Sequence, residues 1–229
     1  MILANDNFGL LNTVLGGADT ITGSTQADFI IALNGNDTVD GGLGNDDING
    51  NVGNDVMYGG GGADWVRGGR DTDTVWGDAG NDPHVNGNLG NDFVFGMDGN
   101  DTVYGGQGDD VVQGNNGDDN VSGDLGDDIL DGGKGTDLLV GGAGADWFFF
   151  NAGDGIDAIA DFNSAAGDRI ALKTGATYTL TTVGSFGTGT TSIPAGWEGY
   201  AVVDIHNATD AIIIIGVTPS QMGNWLVYV

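Results

Sequence analysis

The sequence has no cysteine, only three prolines and very few basic residues. Without cysteine it cannot hold a disulfide framework or a thiolate metal site. Five lysines and arginines stand against 33 acidic residues, and this net charge of −28 argues against nucleic acid or an anionic membrane as the main partner. The longest branched apolar run, Ala211 to Ile215, is too short to span a bilayer, so no membrane insertion is expected.

Motifs that usually carry catalysis are also missing. The chain contains no H-E-x-x-H, no G-x-S-x-G and no P-loop. Its two histidines, His84 and His206, are isolated in sequence, and each is expected to be structural or exposed. Because the repeats described next leave no room for a separate catalytic domain, the chain is predicted not to be an enzyme.

Glycine and aspartate are abundant: 46 residues are Gly, and all acidic residues except Glu198 are Asp. Aspartate recurs every nine positions over fifteen repeats, with one residue inserted at Pro83-His84. The column consists of Asp19, Asp28, Asp37, Asp46, Asp55, Asp64, Asp73, Asp82, Asp92, Asp101, Asp110, Asp119, Asp128, Asp137 and Asp146. Such a fixed period predicts a solenoid of stacked repeat units.

Two further columns keep the same period. Gly lies two residues before each Asp, except at Gln26 and Asp71, and an apolar side chain lies two residues after it. After the insertion, Val85 replaces His84 in the apolar column. Each unit therefore predicts a six-residue turn, in which glycine permits positive φ, followed by a three-residue strand with its middle side chain inward. Two units make one coil of eighteen residues, and stacked coils make two parallel sheets around the apolar column.

Stacking places each turn above the turn two repeats earlier. Aspartate carboxylates and turn carbonyls then lie together, and they provide the oxygen shell of roughly six to eight ligands that Ca²⁺ prefers. Mg²⁺ fits such a shell poorly, and zinc and copper lack soft ligands. Fifteen turns, each paired with the turn two repeats away, give up to about 13 sites. Thirteen Ca²⁺ ions would carry a charge of +26 against the net charge of −28 of the chain. Since the carboxylates repel one another without a cation, folding and calcium binding are expected to be one equilibrium.

The repeat resembles the RTX (repeats-in-toxin) nonapeptide G-G-x-G-x-D-x-U-x, as at residues 41–49 and 141–149. The resemblance covers roughly residues 14 to 162. It implies an all-β, right-handed parallel β-roll like the C-terminal domain of serralysin-like proteins, with Ca²⁺ bound between turns by the aspartates above and by turn carbonyls. The implied carbonyl ligands are those of Gly44, Gly53, Gly62, Gly80, Gly90, Gly99, Gly108, Gly117, Gly126, Gly135 and Gly144.

Other aspartates have different expected roles. The segment 150–162 resembles the one that closes such rolls, so Asp154 and Asp157 are predicted ligands in a lengthened last turn. Sites at Gln26, Asp71 and the insertion depart from the pattern, as do those within residues 14–32, where opening glycines are missing. Aspartates outside the nine-residue column, including those at 109, 118 and 127, are expected to be solvated or to support the ligands without contacting the metal.

The predicted organisation is an N-terminal cap (1–13), the roll (14–162) and a C-terminal β-rich cap (163–229). Two β-branched runs, 200–205 and 211–215, predict a hairpin in the last part. The N-terminus has no basic segment or cleavage site of a secretory signal. The resemblance instead implies type I secretion through an uncleaved C-terminal signal, which the apolar ending 225–229 fits. A plain terminal strand is the alternative.

The sequence is thus interpreted as a secreted bacterial Ca²⁺-binding protein with a non-enzymatic extracellular role in structure or self-assembly, as in a matrix or surface layer. One sheet is predicted to carry an aromatic stripe, Tyr58, Trp76, Phe93 and Phe95, as a self-association surface, whereas the other has a mixed face. Alternatives are a C-terminal calcium-binding and secretion module of a larger secreted protease or polysaccharide-modifying enzyme, or a Ca²⁺-dependent carbohydrate-binding module. Met1 ahead of repeats that begin near residue 14 favours a complete chain.

Overall fold

The computed structural model describes residues 16–172 and five short strands outside that range. The strands are β1 (Asn12–Thr13), β2 (Thr20–Thr22), β3 (Phe29–Ile31), β4 (Thr38–Asp40), β5 (Asp47–Val52), β6 (Val56–Gly61), β7 (Trp65–Arg70), β8 (Thr74–Ala79), β9 (His84–Leu89), β10 (Phe93–Asp98), β11 (Thr102–Gln107), β12 (Val111–Asn116), β13 (Asn120–Leu125), β14 (Ile129–Lys134), β15 (Leu138–Ala143), β16 (Trp147–Phe150), β17 (Ile156–Ile159), β18 (Arg169–Leu172), β19 (Thr179–Thr182), β20 (Ala201–Asp204), β21 (Ala211–Ile214) and β22 (Leu226–Tyr228). Within the residues described, no helix has the length and apolar character needed to cross a membrane.

Alternate strands belong to opposite sheets. Sheet A has the order β1-β3-β5-β7-β9-β11-β13-β15-β17-β21-β20-β19, and sheet B has the order β2-β4-β6-β8-β10-β12-β14-β16-β18-β22. Neighbouring strands are parallel, except that β20 pairs antiparallel with both β19 and β21. The predicted parallel β-roll is confirmed, and so is the hairpin, formed by β20 and β21. Its turn, with His206, lies outside the described residues, as do residues 1–11 of the predicted N-terminal cap and Trp225 and Val229 of the C-terminal ending.

The core is the predicted column of single apolar side chains between the two sheets. From Ile21 to Phe148, each of these side chains is at most 1% exposed. Val85 is fully buried and pairs with Val66 and Val103, so the residue inserted before it leaves the column intact. Burying a Val, Leu or Ile side chain contributes about 1.5–3 kcal/mol, and the repeat supplies one such residue per half-coil.

The strands are longer than the sequence predicted. The early strands β2 to β4 have three residues, but β5 to β15 have six and run on through the first three residues of the next repeat. The predicted six-residue turn is therefore wrong over most of the roll, where the turn is only G-x-D. The cause is the stacking: residues at positions two and three of each repeat pair with the coils on either side, as Gly69 does with Asn51 and Asn88.

Aromatic side chains stack along both outer faces. On sheet B, Tyr58 and Trp76 have ring centroids 4.7 Å apart with planes 5° apart, and Trp76 lies 5.7 Å from Phe95. The predicted adjacency of this stripe is confirmed. Because these rings stack face to face along the roll, all three are half-buried.

On sheet A, His84 packs against other rings. Its ring lies 4.9 Å from that of Trp65 and 5.3 Å from that of Tyr104, so this half-buried side chain is structural, one of the two expectations from the sequence. Burial, with a smaller contribution from the nearby Arg67 cation, lowers the pKa of this imidazole below its usual value. The side chain therefore behaves as part of an aromatic cluster.

Candidate metal centre

The aspartates of the nine-residue column form two hydrogen-bonded ladders, one along each side of the roll. In each ladder the backbone N–H of one aspartate donates to Oδ1 of the aspartate one coil later, over 2.7 to 3.2 Å. The first ladder comprises Asp19, Asp37, Asp55, Asp73, Asp92, Asp110, Asp128, Asp146 and Asp168, and the second comprises Asp28, Asp46, Asp64, Asp82, Asp101, Asp119, Asp137 and Asp157. The insertion at Pro83 only lengthens two links to nineteen residues.

The second carboxylate oxygen of nearly every ladder aspartate is buried without a hydrogen-bond partner. Fourteen such Oδ2 atoms occur in the described part of the chain. They belong to Asp19, Asp37, Asp46, Asp55, Asp64, Asp73, Asp82, Asp92, Asp101, Asp110, Asp119, Asp128, Asp137 and Asp146. A buried carboxylate oxygen without a partner is costly, so each of these groups requires either a proton or a cation.

Burial raises the pKa values of thirteen of these carboxyl groups, those from Asp37 to Asp146, above their ordinary value of 3.8. The pKa of Asp73 and that of Asp110 rise to about 8, mainly through desolvation, and the neighbouring carboxylates add to the shift. The pKa of Asp119 rises to about 7 for the same reasons. The backbone N–H bond to Oδ1 opposes the shift in every case but does not cancel it. The ladders therefore form sites of strong affinity for positive charge.

The glycine that opens each repeat has no side chain, and this leaves room for Oδ2 of the ladder aspartate. A Cβ atom on Gly114, which opens its repeat, would lie 2.3 Å from Oδ2 of Asp119 and 2.5 Å from the carbonyl oxygen of Gly132. The glycine at position four is also required, because Gly117 has φ +140° and a Cβ atom there would lie 1.7 Å from the carbonyl oxygen of Gly99. The opening glycine thus keeps a side chain out of the space beside Oδ2, and the position-four glycine lets the turns of neighbouring coils approach closely.

The carbonyls predicted to be ligands are also free of other partners. Among the described residues, the position-four carbonyls from Gly44 to Gly144 accept no turn or side-chain hydrogen bond, except that Gly135 accepts one from Ile156. No three carboxylate or imidazole side chains converge on a point in this part of the chain. A cation would therefore be held by single Oδ2 atoms together with backbone carbonyls. This all-oxygen donor set fits Ca²⁺, whose charge would neutralise the buried carboxylates.

The first turns depart from this arrangement, as the sequence predicted. Gln26 replaces the position-four glycine and does not adopt positive φ. Oδ2 of Asp28 accepts a hydrogen bond from the N–H of Ser24 over 2.6 Å, so this carboxylate already has a partner. Asp71, the other exception, adopts φ +79°, which preserves the glycine-like turn.

The end of each ladder lies beyond the regular repeat. Asp157 continues the second ladder, and its pKa is raised by desolvation and by Asp137. Asp168, which the sequence analysis did not select, ends the first ladder and also binds the N–H of Asn163. An apolar residue two positions later, Ile170, is the signal that could have identified it. Asp154 lies outside both ladders, and its Oδ2 accepts the N–H of Asn151 instead.

Position five forms another ladder, which the sequence analysis missed. Oδ1 of Asn36, for example, accepts the N–H of Asn54 over 3.1 Å, and Oδ1 of Asp109 accepts the N–H of Asp127 over 3.0 Å. Three of these residues, Asp109, Asp118 and Asp127, are exposed, as expected, and they also accept hydrogen bonds from backbone N–H groups of the next coil. In this ladder each side chain accepts a hydrogen bond from the next coil, whereas in the buried ladders it accepts one from the preceding coil. The signal in the sequence is the recurrence of Asn or Asp directly before the ladder aspartate.

The repeat region matches a known family model. The model of the RTX calcium-binding nonapeptide repeat (four copies) matches residues 14–48, 49–82, 86–121, 113–148 and 122–157. A comparison with curated proteins gives no match.

Two solved structures are similar to the chain. The AlgE6R3 subunit of the mannuronan C5-epimerase from Azotobacter vinelandii is 25% identical over 58% of this chain and 80% of that one, with a TM-score of 0.43. The extracellular lipase LipA from Serratia marcescens is 18% identical over 94% of this chain and 40% of that one, with a TM-score of 0.32. This chain thus spans less than half the length of the lipase.

Proposed function

Because the chain belongs to the RTX calcium-binding nonapeptide repeat family, we propose that it is a secreted, non-enzymatic protein whose folding depends on Ca²⁺ and whose roll serves an extracellular structural role. The ladder of buried Oδ2 atoms without partners supports this proposal most strongly. It explains why a chain of net charge −28 needs many cations to close its coils. The non-enzymatic part rests on the missing catalytic motifs.

The same chemistry supports secretion. Where Ca²⁺ is scarce, as in the cytosol, the uncompensated carboxylates keep the roll open, and an unfolded chain suits export by the type I pathway of bacteria. Where Ca²⁺ is plentiful, binding and folding proceed together. The bound ions, up to about 13 by the count of stacked turns, would offset nearly all of the negative charge.

We assign the structural role to self-association through the outer face of sheet B. Beside the stacked rings, Phe93 is 46% exposed and Ile129 is 39% exposed, and they lie on strands separated only by β12. Once Ca²⁺ has reduced the net charge, this flat apolar face suits a second copy of the same face in an isologous contact.

The test changes side chains that face outward and leaves the stacked rings in place. Phe93→Ser with Ile129→Ser is expected to give a smaller species than wild type in sedimentation runs with saturating Ca²⁺. Phe29→Ser with Val52→Ser, exposed apolar residues of sheet A, serves as the matched control and should sediment like wild type. Wild-type protein that is monomeric at high concentration, or a sheet B variant that sediments like wild type, would contradict self-association.

A further inference from the structure

Met97, on the outer face of sheet B, has a backbone conformation that methionine rarely adopts. Its φ is +84°, in the left-handed region that favours glycine, asparagine and aspartate. The residues paired with it on β8 and β12 are Asp78 and Asn115, which also have positive φ and are of the favoured types. One strand further on either side, the same position holds Gly60 and Gly133. The backbone therefore does not explain a methionine here, and such strain points to a function of the side chain.

The Met97 side chain extends the apolar surface of β10. Phe93, Phe95 and Met97 alternate along this strand with the buried Val94 and Gly96, so the three side chains face outward together. Phe93 is 46% exposed and Met97 is 36% exposed. Methionine is enriched at protein contacts, where its flexible thioether adapts to the opposing surface. Met97 is thus placed to take part in the contact that we assign to sheet B.

The exposure of Met97 also opens it to oxidation. Met57, on β6 of the same sheet, belongs to the core column and is fully buried, so a peroxide in solution reaches Met97 but not Met57. In that reaction the sulfur lone pair attacks one peroxide oxygen, the O–O bond breaks, and the other oxygen leaves as water after a proton transfer. The sulfur loses two electrons and the peroxide gains them, so the thioether becomes a sulfoxide.

This oxidation changes the polarity of the outer face and leaves the fold of the roll intact. A sulfoxide oxygen is a hydrogen-bond acceptor, and burying it against an apolar surface is costly unless a donor is present. Met97 belongs neither to the buried core nor to the aspartate ladders, so the coils do not need its thioether in order to close. The effect of the added oxygen therefore falls on a contact made by the outer face.

We propose that Met97 is an oxidation site that controls self-association: the thioether anchors the contact through sheet B, and its conversion to the sulfoxide by a peroxide releases that contact. This inference rests on the self-association proposed above and adds its regulation. It assigns to the side chain of Met97 the function that its backbone conformation does not explain.

Sedimentation of the full chain in saturating Ca²⁺, before and after treatment with hydrogen peroxide, tests the site. The treatment is carried out on dilute protein, in which the face is uncovered, and peptide mass spectrometry locates the added oxygen. We expect oxygen on Met97 and none on Met57, with an unchanged circular dichroism spectrum. The dissociation constant of the assembly should rise by about tenfold or more, the effect of losing one well-packed contact residue.

Met97→Leu is the matched control for the peroxide treatment. Leu33 has φ +78° at the same repeat position on sheet A, so leucine is accommodated in this conformation. The variant should associate like wild type and remain associated after treatment, although it retains Met1 and Met222, which lie outside the described residues.

Two further variants separate the side chain from the backbone. Met97→Gln, which is polar and of similar length, should weaken association without any peroxide. Met97→Gly should keep the fold, because glycine occupies this position at Gly60 and Gly133, while association weakens to a similar extent. A Met97→Gly variant that associates like wild type would contradict the role of the side chain as an anchor.

The outcomes distinguish this inference from the proposed function. Wild-type protein that stays monomeric at high concentration would overturn both. Wild-type protein that associates, and does so with the same dissociation constant once Met97 carries the oxygen, would overturn the inference alone. An equal response of wild type and Met97→Leu to peroxide would also overturn it, because the effect would then come from another residue.

Discussion

At the residue scale, the ladder aspartates from Asp37 to Asp146 use their two carboxylate oxygens differently. Oδ1 accepts the N–H of the preceding coil and joins the coils, whereas Oδ2 lies buried with no donor in reach. An asparagine could perform the first role through its amide oxygen but would place an N–H₂ group where a cation is needed. Aspartate is therefore required for its charge as well as for its shape.

Asp110→Asn tests this division of roles. The amide oxygen can still bind the N–H of Asp92, while the amino group replaces Oδ2, so the fold in Ca²⁺ should persist with weaker ion binding. We expect the apparent Ca²⁺ affinity in calorimetry to fall by about tenfold or more, since even groups that only support a metal ligand have effects of that size.

Asp28→Asn is the matched control for that measurement. Its Oδ2 already accepts the N–H of Ser24, and a neutral amide oxygen can do the same. Calcium affinity should therefore change little. Equal losses in the two variants would contradict the assignment of Oδ2 as the atom that meets the cation.

The period of nine was sufficient to predict the ladder aspartates from Asp19 to Asp146. It could not predict which oxygen is free, because that depends on the backbone of the neighbouring coil. It also failed to identify Asp168, since the spacing from Asp146 lengthens to 22 residues where the regular repeat ends. Sequence spacing alone does not carry a register across such an insertion.

At the element scale, the opening glycines belong to strands rather than to turns. Glycine is unfavourable in strands, so the sequence predicted turns at these positions. In the structure, the strand pairs that the following residues, at positions two and three, form with both neighbouring coils outweigh that preference. The glycine is retained because the inward position it occupies, between the strand and the ladder, has no room for a side chain.

Gly114→Ala tests whether the opening position has room for a side chain. Its Cβ atom would meet Oδ2 of Asp119 and the carbonyl of Gly132, so we expect a loss of about 1–3 kcal/mol in the free energy of unfolding in saturating Ca²⁺. Urea unfolding measures it.

Gly61→Ala is the control for the strand itself. This glycine is also in a strand, has no positive φ, and its added methyl would meet only the flexible end of the Leu43 side chain at 3.0 Å. It should lose far less stability than Gly114→Ala. A similar loss in both variants would mean that strand propensity, and not the space beside Oδ2, determines the requirement for glycine.

At the scale of the whole molecule, the raised pKa values predict how the cation-free chain responds to pH. Folding moves the pKa of groups such as Asp73 and Asp119 from near 3.8 to about 8 and about 7, so the folded state takes up protons. The cation-free roll is therefore least stable above pH 8, and it gains stability as the pH falls toward 4.

The measurement is far-UV circular dichroism of Ca²⁺-free protein at pH 8 and at pH 5. We expect more β-structure at pH 5, because protons partly replace the missing cations. A signal that is independent of pH across this range would contradict the proposed cost of the buried carboxylates.

The overall architecture was the most predictable level, because one apolar residue per half-coil and one glycine-rich turn per repeat admit few other folds. The surfaces were less predictable. The alternation of successive repeats between the two sheets predicted that Tyr58, Trp76 and Phe95 lie on one face. It did not predict the face-to-face stacking of their rings. A groove on the outer face of sheet A is lined by residues from β5, β7, β9, β11 and β13, and only the three-dimensional stack brings them together.

The central claim is that cation binding and folding of the roll are one process, and far-UV circular dichroism of the full chain at pH 8 tests it directly. In excess chelator the fourteen buried Oδ2 atoms would carry uncompensated charge, so we expect a largely disordered chain. Titration with Ca²⁺ should restore β-structure cooperatively, and Mg²⁺ at the same concentration should do so poorly. A fully folded β signal in excess chelator, unchanged when Ca²⁺ is added, would contradict the claim.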